Sequence, residues 1–463
     1  MAGGEGHALR HYLAAASGQR SFWDNGRSFC FTELRCGTVL GQELASLAGR
    51  SVLVAVGSQL NAALTLIELD GVARRVVILP PDIDPAHLPV IAASAQIDAV
   101  IVDESAPPLS ALALSLQVSC GSSIVPANEI PGNCVCTEWV LVTSGTTGIP
   151  KMVVHNLASL VAPLRAPSPA DGATVWGTFY DIRRYGGLQI YLRALRSGAS
   201  LVLSNSGEKV ADHIARLAQH KVTHLSGTPS HWRRALMNPA IGKISPRYVR
   251  LSGEIADQAI LDALHATFPQ AVIGHAYAST EAGVAFDVND GRAGFPATYL
   301  TGTRDGVEMR IIDGSLRIRS PANASAYLGA AKPLAGADGF VDTGDIVEQH
   351  GDRCYFAGRK GGIINIGGLK VHPEEVEAVI NRHPRVRMSL VRGKQSPITG
   401  SIVVADVVLS AGQQLDGARQ IEVKNDILKF CSDALPRHKV PASISFVPRL
   451  AVGGTGKLIR RQG

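Results

Sequence analysis

Short apolar runs at Val52 to Val56, Val76 to Leu79 and Ala99 to Val102 alternate with helix-like stretches such as Ala62 to Leu69. Buried runs of this length, separated by segments of helical period, predict parallel strands joined by crossover helices. The rhythm returns where Ile214, Leu217 and Ala218 share one helical face ahead of the apolar stretch Val222 to Leu225. Together these segments predict an α/β fold whose large N-terminal domain holds doubly wound sheets. From Gly291 to about Gly344 the texture changes to short, glycine-punctuated alternation, as in Val307 to Ile312 and Ser315 to Ile318. That alternation predicts antiparallel strands, and a small β-barrel-like unit is expected over about residues 291–357. Beyond Gly358, strand-like Ile363 to Ile366 and Ile402 to Leu409 mix with helices from Pro373 to about Asn381 and from about Ile421 to Ala434. Pro373 suits a first helical position, Glu374 and Glu375 suit the positive helix end, and Val376, Val379 and Ile380 supply a buried face. The expected division is an N-terminal core, residues 1–357, and a small α+β C-terminal domain, residues 358–463, with the boundary near Ala357–Gly358.

With 463 residues, 46% of them hydrophobic, the chain is long enough for more than one core. Its 45 basic and 39 acidic residues give a net charge of +6 without any block of like charge, the pattern of a solvated surface and not of a nucleic-acid footprint. His7, Arg10, His11 and Arg20 interrupt the N-terminal apolar character that a signal peptide needs. No run approaches the roughly 18 apolar residues of a membrane span. A cytoplasmic protein with no membrane span and no nucleic-acid partner is expected. The seven cysteines are scattered apart from Cys134 and Cys136, which fits reduced thiols better than a disulfide framework or a zinc site.

The chemistry concentrates in a few motifs. After the strand-like Cys136 to Val142 comes Thr143-Ser144-Gly145-Thr146-Thr147-Gly148-Ile149-Pro150-Lys151, dense in hydroxyls, glycines and one lysine. Such a loop is rich in donors for phosphate, with glycine allowing close backbone approach; it is also what a polar surface turn looks like. A P-loop is excluded, because Pro150 stands where glycine must precede the lysine and Met152 where Ser or Thr must follow it. Tyr277-Ala278-Ser279-Thr280-Glu281 reads alone either as a helix cap or as a carboxylate set beside phosphates. Asp342-Thr343-Gly344-Asp345 is either a turn or a site for paired hydroxyls, since a carboxylate accepts two donors at once. Further on lie Gly358-Arg359-Lys360-Gly361-Gly362, the loop Gly367-Gly368, and Gly453-Gly454-Thr455-Gly456-Lys457, whose lysine taken alone is a solvated tail charge.

In this order, from about residue 20 to residue 459, the motifs resemble those of the adenylate-forming superfamily, which includes acyl-CoA synthetases, aryl-CoA ligases, luciferases and peptide-synthetase adenylation domains. The resemblance implies that Thr143, Ser144, Gly145, Thr146, Thr147 and Lys151 surround the phosphates of ATP. It implies that Tyr277 lies by the adenine with Ser279 beside it, that Thr280 meets the α-phosphate, and that Glu281 holds Mg2+. Ser252-Gly253-Glu254 is similar to the turn that lines the adenine pocket, Asp345 to the ribose-binding carboxylate and Arg359 to a nucleotide contact. Lys360 and Gly361 match the hinge of a mobile C-terminal domain; where relatives carry aspartate or lysine this chain has Gly361, losing a side-chain hydrogen bond. Gly367 and Gly368 are expected to line a thiol tunnel, and Lys457 to bridge the acid and the α-phosphate. By the same analogy Tyr180, Gly187, Thr228, Ser252, Gly274, Ala276 and Ala278 wall the acyl pocket. In Arg183-Arg184-Tyr185-Gly186-Gly187, Arg183 or Arg184 replaces a histidine common in relatives, and one arginine, with Arg184 the candidate, is expected either to meet an extra anionic group of the acid or gate the pocket, or else to face the surface or a phosphate. The implied activity is conversion of a carboxylic acid to acyl-AMP with ATP, then transfer to coenzyme A. The alternatives are the phosphopantetheine of an acyl carrier protein as acceptor, or a non-catalytic nucleotide-binding scaffold.

Overall fold

The strands form wherever the apolar runs are long enough to be covered on both faces. The structure, a computed structural model, describes residues 8–15, 20–109, 112, 116–127, 135–143, 150–164, 174–205, 207–330, 333–366, 369–396, 400–410 and 417–460. Among them the large domain carries a seven-stranded sheet, an eight-stranded sheet and a six-stranded sheet. The seven-stranded sheet has a parallel centre of Arg75–Ile78, Ser51–Ala55 and Ala99–Val102, as their largely apolar character requires, and the partly exposed strand Leu116–Ser119 pairs parallel at its edge. Its helix Gln59–Leu69 is buried along its whole length, and Ser58 caps it by accepting the amide of Asn61. The eight-stranded sheet runs parallel through Ser200–Val202, Val175–Thr178, His224–Gly227, Tyr248–Ser252 and Val272–Ser279. The helix Val210–Gln219 covers it with Ile214 and Leu217, both fully buried. Its following strand starts at His224, two residues later than the apolar stretch alone indicates, because Val222 packs in the turn against the core.

The small β unit is the six-stranded antiparallel sheet, whose long hairpin pairs Val341–His350 with Arg353–Arg359. That last strand runs through residues 357 and 358 to Arg359 and is followed by the turn Lys360–Gly362. The C-terminal domain packs the helices Pro373–Ile380 and Gly417–Ala434 around a three-stranded sheet. Pro373 occupies the start of its helix with Glu374 and Glu375 in the first turn, and Val376, Val379 and Ile380 are buried. No helix of the described residues is long and apolar enough to cross a membrane.

Candidate active site

The ends of the parallel strands are where this fold exposes loops and helix starts together. Thr228 follows the strand His224–Gly227, Gly253 and Glu254 follow Tyr248–Ser252, and Thr280 and Glu281 follow Val272–Ser279. The neighbouring seven-stranded sheet contributes a hairpin, Glu138–Thr143 against Lys151–Asn156, with Thr143 opposite Lys151. Thr143 and Lys151, which bracket the phosphate-type motif, therefore lie on paired antiparallel strands and not on a strand and a following helix. Ser144, Gly145, Thr146 and Thr147, and likewise Gly367 and Gly368, lie outside the described residues.

The eight-stranded and seven-stranded sheets meet at Glu281. Its carboxylate Oε1 accepts the Tyr327 hydroxyl (3.0 Å), and its backbone carbonyl accepts the amide of Ala324 (2.9 Å). Tyr327 belongs to a short strand paired with Lys151–Asn156, and the Lys151 ammonium stands 5.2 Å from its ring centroid. His155, buried in the same strand, donates from Nε2 to the carbonyl of Thr280 (2.7 Å). Burial pushes that imidazole below the ordinary histidine range and keeps it neutral. Ser279 turns inward and accepts the amide of Ala282 (2.9 Å).

The six-stranded sheet supplies the opposite wall. Asp345 accepts the Tyr277 hydroxyl (2.5 Å) and Arg359 Nε (2.8 Å). A carboxylate has about four lone-pair sites, so capacity for two further donors remains. The Tyr277 ring is nearly parallel to Phe356 (5.1 Å between centroids) and to Phe286 (5.8 Å). Burial first, then the Asp345 charge, drives the Tyr277 phenol far above its usual range. Asp345 in turn raises Arg359.

A cleft of about 670 Å³ opens between these walls and the C-terminal domain. Of the residues nominated from sequence, Gly253, Glu254, Ala276, Tyr277, Ala278, Asp345, Arg359 and Lys457 line it. Lys457 arrives on the C-terminal loop with its stem over Gly253, whose φ of +87° disfavours a side chain and where a Cβ would lie 3.3 Å from Lys457 Cε, a tight contact. Burial, followed by the Arg359 charge, lowers the Lys457 ammonium below the ordinary lysine range, while Glu254, Asp345 and Glu281 oppose that shift. Those electrostatic partners join the Glu281 and Asp345 walls into one site.

The nominated acyl-pocket residues have varied surroundings. Tyr180 is buried and donates to the carbonyl of Ser252 (2.7 Å). Thr228 caps the helix Pro229–Leu236 and donates to the carbonyl of Gly456 (2.7 Å). A side chain at Gly187 would strike the backbone of Asp181 and Ile182, so packing alone requires that glycine, whereas one at Gly274 would meet the movable end of the Asn289 side chain. Arg183 is fully committed: it forks onto Asp181 (2.9 and 2.6 Å) and donates to the carbonyls of Val56 (2.7 Å) and Gly57 (2.9 Å). Arg184 is ion-paired with Asp82 beside Gly454, so its charge is answered within the protein. At the turn Lys360–Gly362, Lys360 reaches Asp342 (3.4 Å), and a Cβ at Gly361 or Gly362 would meet open space. Sequence reasoning did not find Tyr327, Phe356, Phe286 or His155; each lies outside the polar motifs, Phe286 pairing with Tyr277 across adjacent strands and the others reaching the site from elements distant in sequence.

The family model described as "AMP-binding enzyme" matches residues 75–328, and that described as "AMP-binding enzyme C-terminal domain" matches residues 375–457. The chain is similar to 4-coumarate–CoA ligase 3 of Arabidopsis thaliana, 24% identical over 350 residues, which are 69% of this chain and 61% of that protein. It thus spans about three fifths of the length of that curated relative. Among solved structures it shares its fold with a benzoate CoA ligase from Burkholderia xenovorans LB400 (TM-score 0.80, 21% identity, 98% of each chain covered). It likewise shares that fold with the anthranilate CoA ligase AuaEII in complex with anthranoyl-AMP (TM-score 0.79, 18% identity, 98% of this chain and 95% of that one). Two family models in the order of its two domains, the first spanning more than half of its length, show that the chain belongs to the AMP-binding enzymes.

Proposed function

We propose that this protein activates a carboxylic acid with ATP to an acyl-AMP, releasing pyrophosphate, and then transfers the acyl group to the thiol of coenzyme A. The observation that carries this reading is the placement of Lys457 in one cleft with Asp345 and Arg359, within the electrostatic reach of Glu281. A carboxylate is a poor acyl donor because attack on it must expel an oxide. In the first step a carboxylate oxygen attacks the α-phosphorus and the bond to pyrophosphate breaks. Lys457 sits where an ammonium neutralises charge developing on the α-phosphate and the acid. Asp345 has acceptor capacity for the ribose hydroxyls, and Tyr277 offers its aromatic stack to the base. Arg359 and Lys151 supply positive charge, and by the family resemblance Thr280 is assigned to the α-phosphate and the motif from Thr143 to Lys151 to the other phosphates. Glu281, a hard oxygen donor held by Tyr327, fits Mg2+, which keeps several waters and needs only one or two carboxylates beside substrate phosphates. When bound there, Mg2+ would supply neutralisation of the phosphate charge. In the second step the thiol sulfur attacks the acyl carbon and AMP leaves. Rotation of the small domain about Lys360 and Gly361 would remove Lys457 and admit the thiol along Gly367 and Gly368.

The names of the similar proteins favour an aromatic acid and coenzyme A over a carrier-protein phosphopantetheine. The free cysteines among the described residues, Cys30, Cys36, Cys120, Cys136, Cys354 and Cys431, suit a cytoplasmic setting. The test is ATP–pyrophosphate exchange across 4-coumarate, benzoate, anthranilate and aliphatic acids, then thioester formation with coenzyme A or a phosphopantetheinylated carrier protein. Exchange with an acid, followed by acyl-CoA formation, is expected. Nucleotide binding without exchange for any acid would leave a scaffold and refute the proposal.

A further inference from the structure

Glu254 stands next to Gly253 in the turn that the family resemblance assigns to the adenine pocket, yet its carboxylate is engaged with protein groups. Oε2 accepts the Ser230 amide (2.9 Å), and Oε1 accepts both the Ser230 hydroxyl (3.0 Å) and the amide of Leu458 (3.0 Å). The Ser230 bonds fix the carboxylate to the large domain; the Leu458 bond grips the C-terminal loop one residue past Lys457. Thr228 grips the residue before it, through the Gly456 carbonyl. On the other flank Arg460 binds the loop to the small domain. Its guanidinium forks onto Glu377 (2.7 and 2.8 Å) and donates to the Val391 carbonyl (2.9 Å). It also pairs with Glu374 (3.2 Å). A forked guanidinium–carboxylate pair is geometrically rigid, so a hold on Leu458 is passed on to the helix Pro373–Ile380. Further bonds between the domains, from Arg233 to the Arg387 carbonyl and from Asn381 to Asp257, are longer, at 3.3 Å each.

We propose that Glu254 is a positioning residue, a latch that holds the Lys457 loop, and through Arg460 the small domain, in the pose that forms acyl-AMP, and that releases Leu458 before the thiol step. This rests on the role proposed above for Lys457. The latch is a single charge-assisted bond to the moving loop, strong enough to bias a two-state equilibrium and weak enough to release. The forked Arg460 pair, by contrast, travels with the small domain.

The first test needs no substrate. Hydrogen–deuterium exchange of the ligand-free full chain is compared between wild type and E254Q. The latch requires the segment 452–460 to exchange about tenfold faster in the variant while the strand Tyr248–Ser252 is unchanged; equal exchange at 452–460 overturns it. The second test separates the half-reactions, using whichever of benzoate, anthranilate and 4-coumarate gives the fastest pyrophosphate exchange. E254Q should lower kcat for exchange about tenfold more than it lowers thioester formation from the supplied acyl-adenylate, with KM for ATP within about threefold. A raised KM for ATP at constant kcat would make Glu254 a nucleotide contact and refute the latch. Because E254Q also disturbs Ser230 at the helix start, L458P, which removes the amide donor from the other side, must reproduce both effects. A wild-type enzyme without exchange for any acid refutes the adenylation reading alone, and the hydrogen-exchange result still decides whether the latch exists.

Discussion

The three glycines ahead of Lys457 provide a graded test of how tightly the lysine must be held. Gly456 has φ +74°, and a Cβ there would overlap the His231 ring. His231 cannot yield: it is 9% exposed, its Nδ1 accepts the Thr228 amide (3.1 Å), and its ring stacks on Phe179 (5.8 Å between centroids). G456A therefore meets a left-handed backbone penalty of about 1–2 kcal/mol and an overlap relieved only by lifting the loop by about 1 Å or more. A misplacement of that size costs about 10²-fold in rate, roughly 2.7 kcal/mol of barrier. At Gly454 the new methyl group would meet the ends of Asp82 and Arg184, and Asp82, with a side chain 48% exposed, can turn aside. At Gly453 the nearest atom would be Ile459 Cγ1 at 3.5 Å, an ordinary contact. The expected order of loss in pyrophosphate exchange is G456A by about 10²-fold, G454A by about threefold and G453A by less than about twofold, with little change in Tm. If G456A lost no more exchange than G453A, the seating of Lys457 against the Thr228–His231 wall would not matter to adenylation and the reasoning would fail.

Lys457→Ala should reduce pyrophosphate exchange by about 10²- to 10³-fold while thioester formation from a supplied acyl-adenylate survives; equal loss of both steps would contradict its assigned role. Because burial and the Arg359 charge depress the Lys457 pKa, the ammonium is lost at a lower pH than that of an ordinary lysine. The alkaline limb of kcat/KM for exchange, which reports the free enzyme, should therefore fall below pH 10.5, the ordinary value, and R359Q, which removes a repelling charge, should move that limb to higher pH. Tyr327→Phe deletes the hydroxyl that holds Glu281 and should raise the magnesium concentration giving half-maximal exchange by about tenfold; an unchanged magnesium dependence would show that the bond does not orient the carboxylate.

Much of the fold was legible because the parallel strands are buried on both faces, so Val52 to Val56, Val76 to Leu79 and Ala99 to Val102 announce themselves as apolar runs. The strand Lys151–Asn156 was missed because it begins with the lysine of the loop motif, and its apolar core is only Met152, Val153 and Val154. The helix Gly417–Ala434 begins four residues before Ile421, in a polar stretch whose periodicity is carried only by later residues such as Val423, Ile427 and Cys431. In the cleft, polar residues nominated from local motifs, such as Asp345 and Lys457, were legible as far as they line one site. Residues that act by position were not. Tyr327 reaches Glu281 across 46 residues of sequence, and Arg460 reaches Glu377 across 83; neither separation leaves a local signature.

A charged residue in a motif says little about ligands until its own charge is accounted for, and the contrast between Arg183 and Lys457 shows why. Arg183 is almost completely buried and satisfied by Asp181 and two carbonyls, so nothing is left for a substrate to answer. Lys457 makes no ion pair among the described residues, although burial already weakens its hold on the proton. An ammonium half-buried in the cleft without a direct ion-pair partner is held at a cost, and a ligand anion that pairs with it recovers part of that cost only in the folded, closed state. Saturating ATP should therefore raise the Tm of the wild type more than that of K457A, since a ligand at 100 times its Kd stabilises by about 2.7 kcal/mol and one bound tenfold more weakly by about 1.4 kcal/mol. Equal shifts in the two proteins would mean that Lys457 meets the substrate only in the transition state, and its ground-state burial would then need another cause.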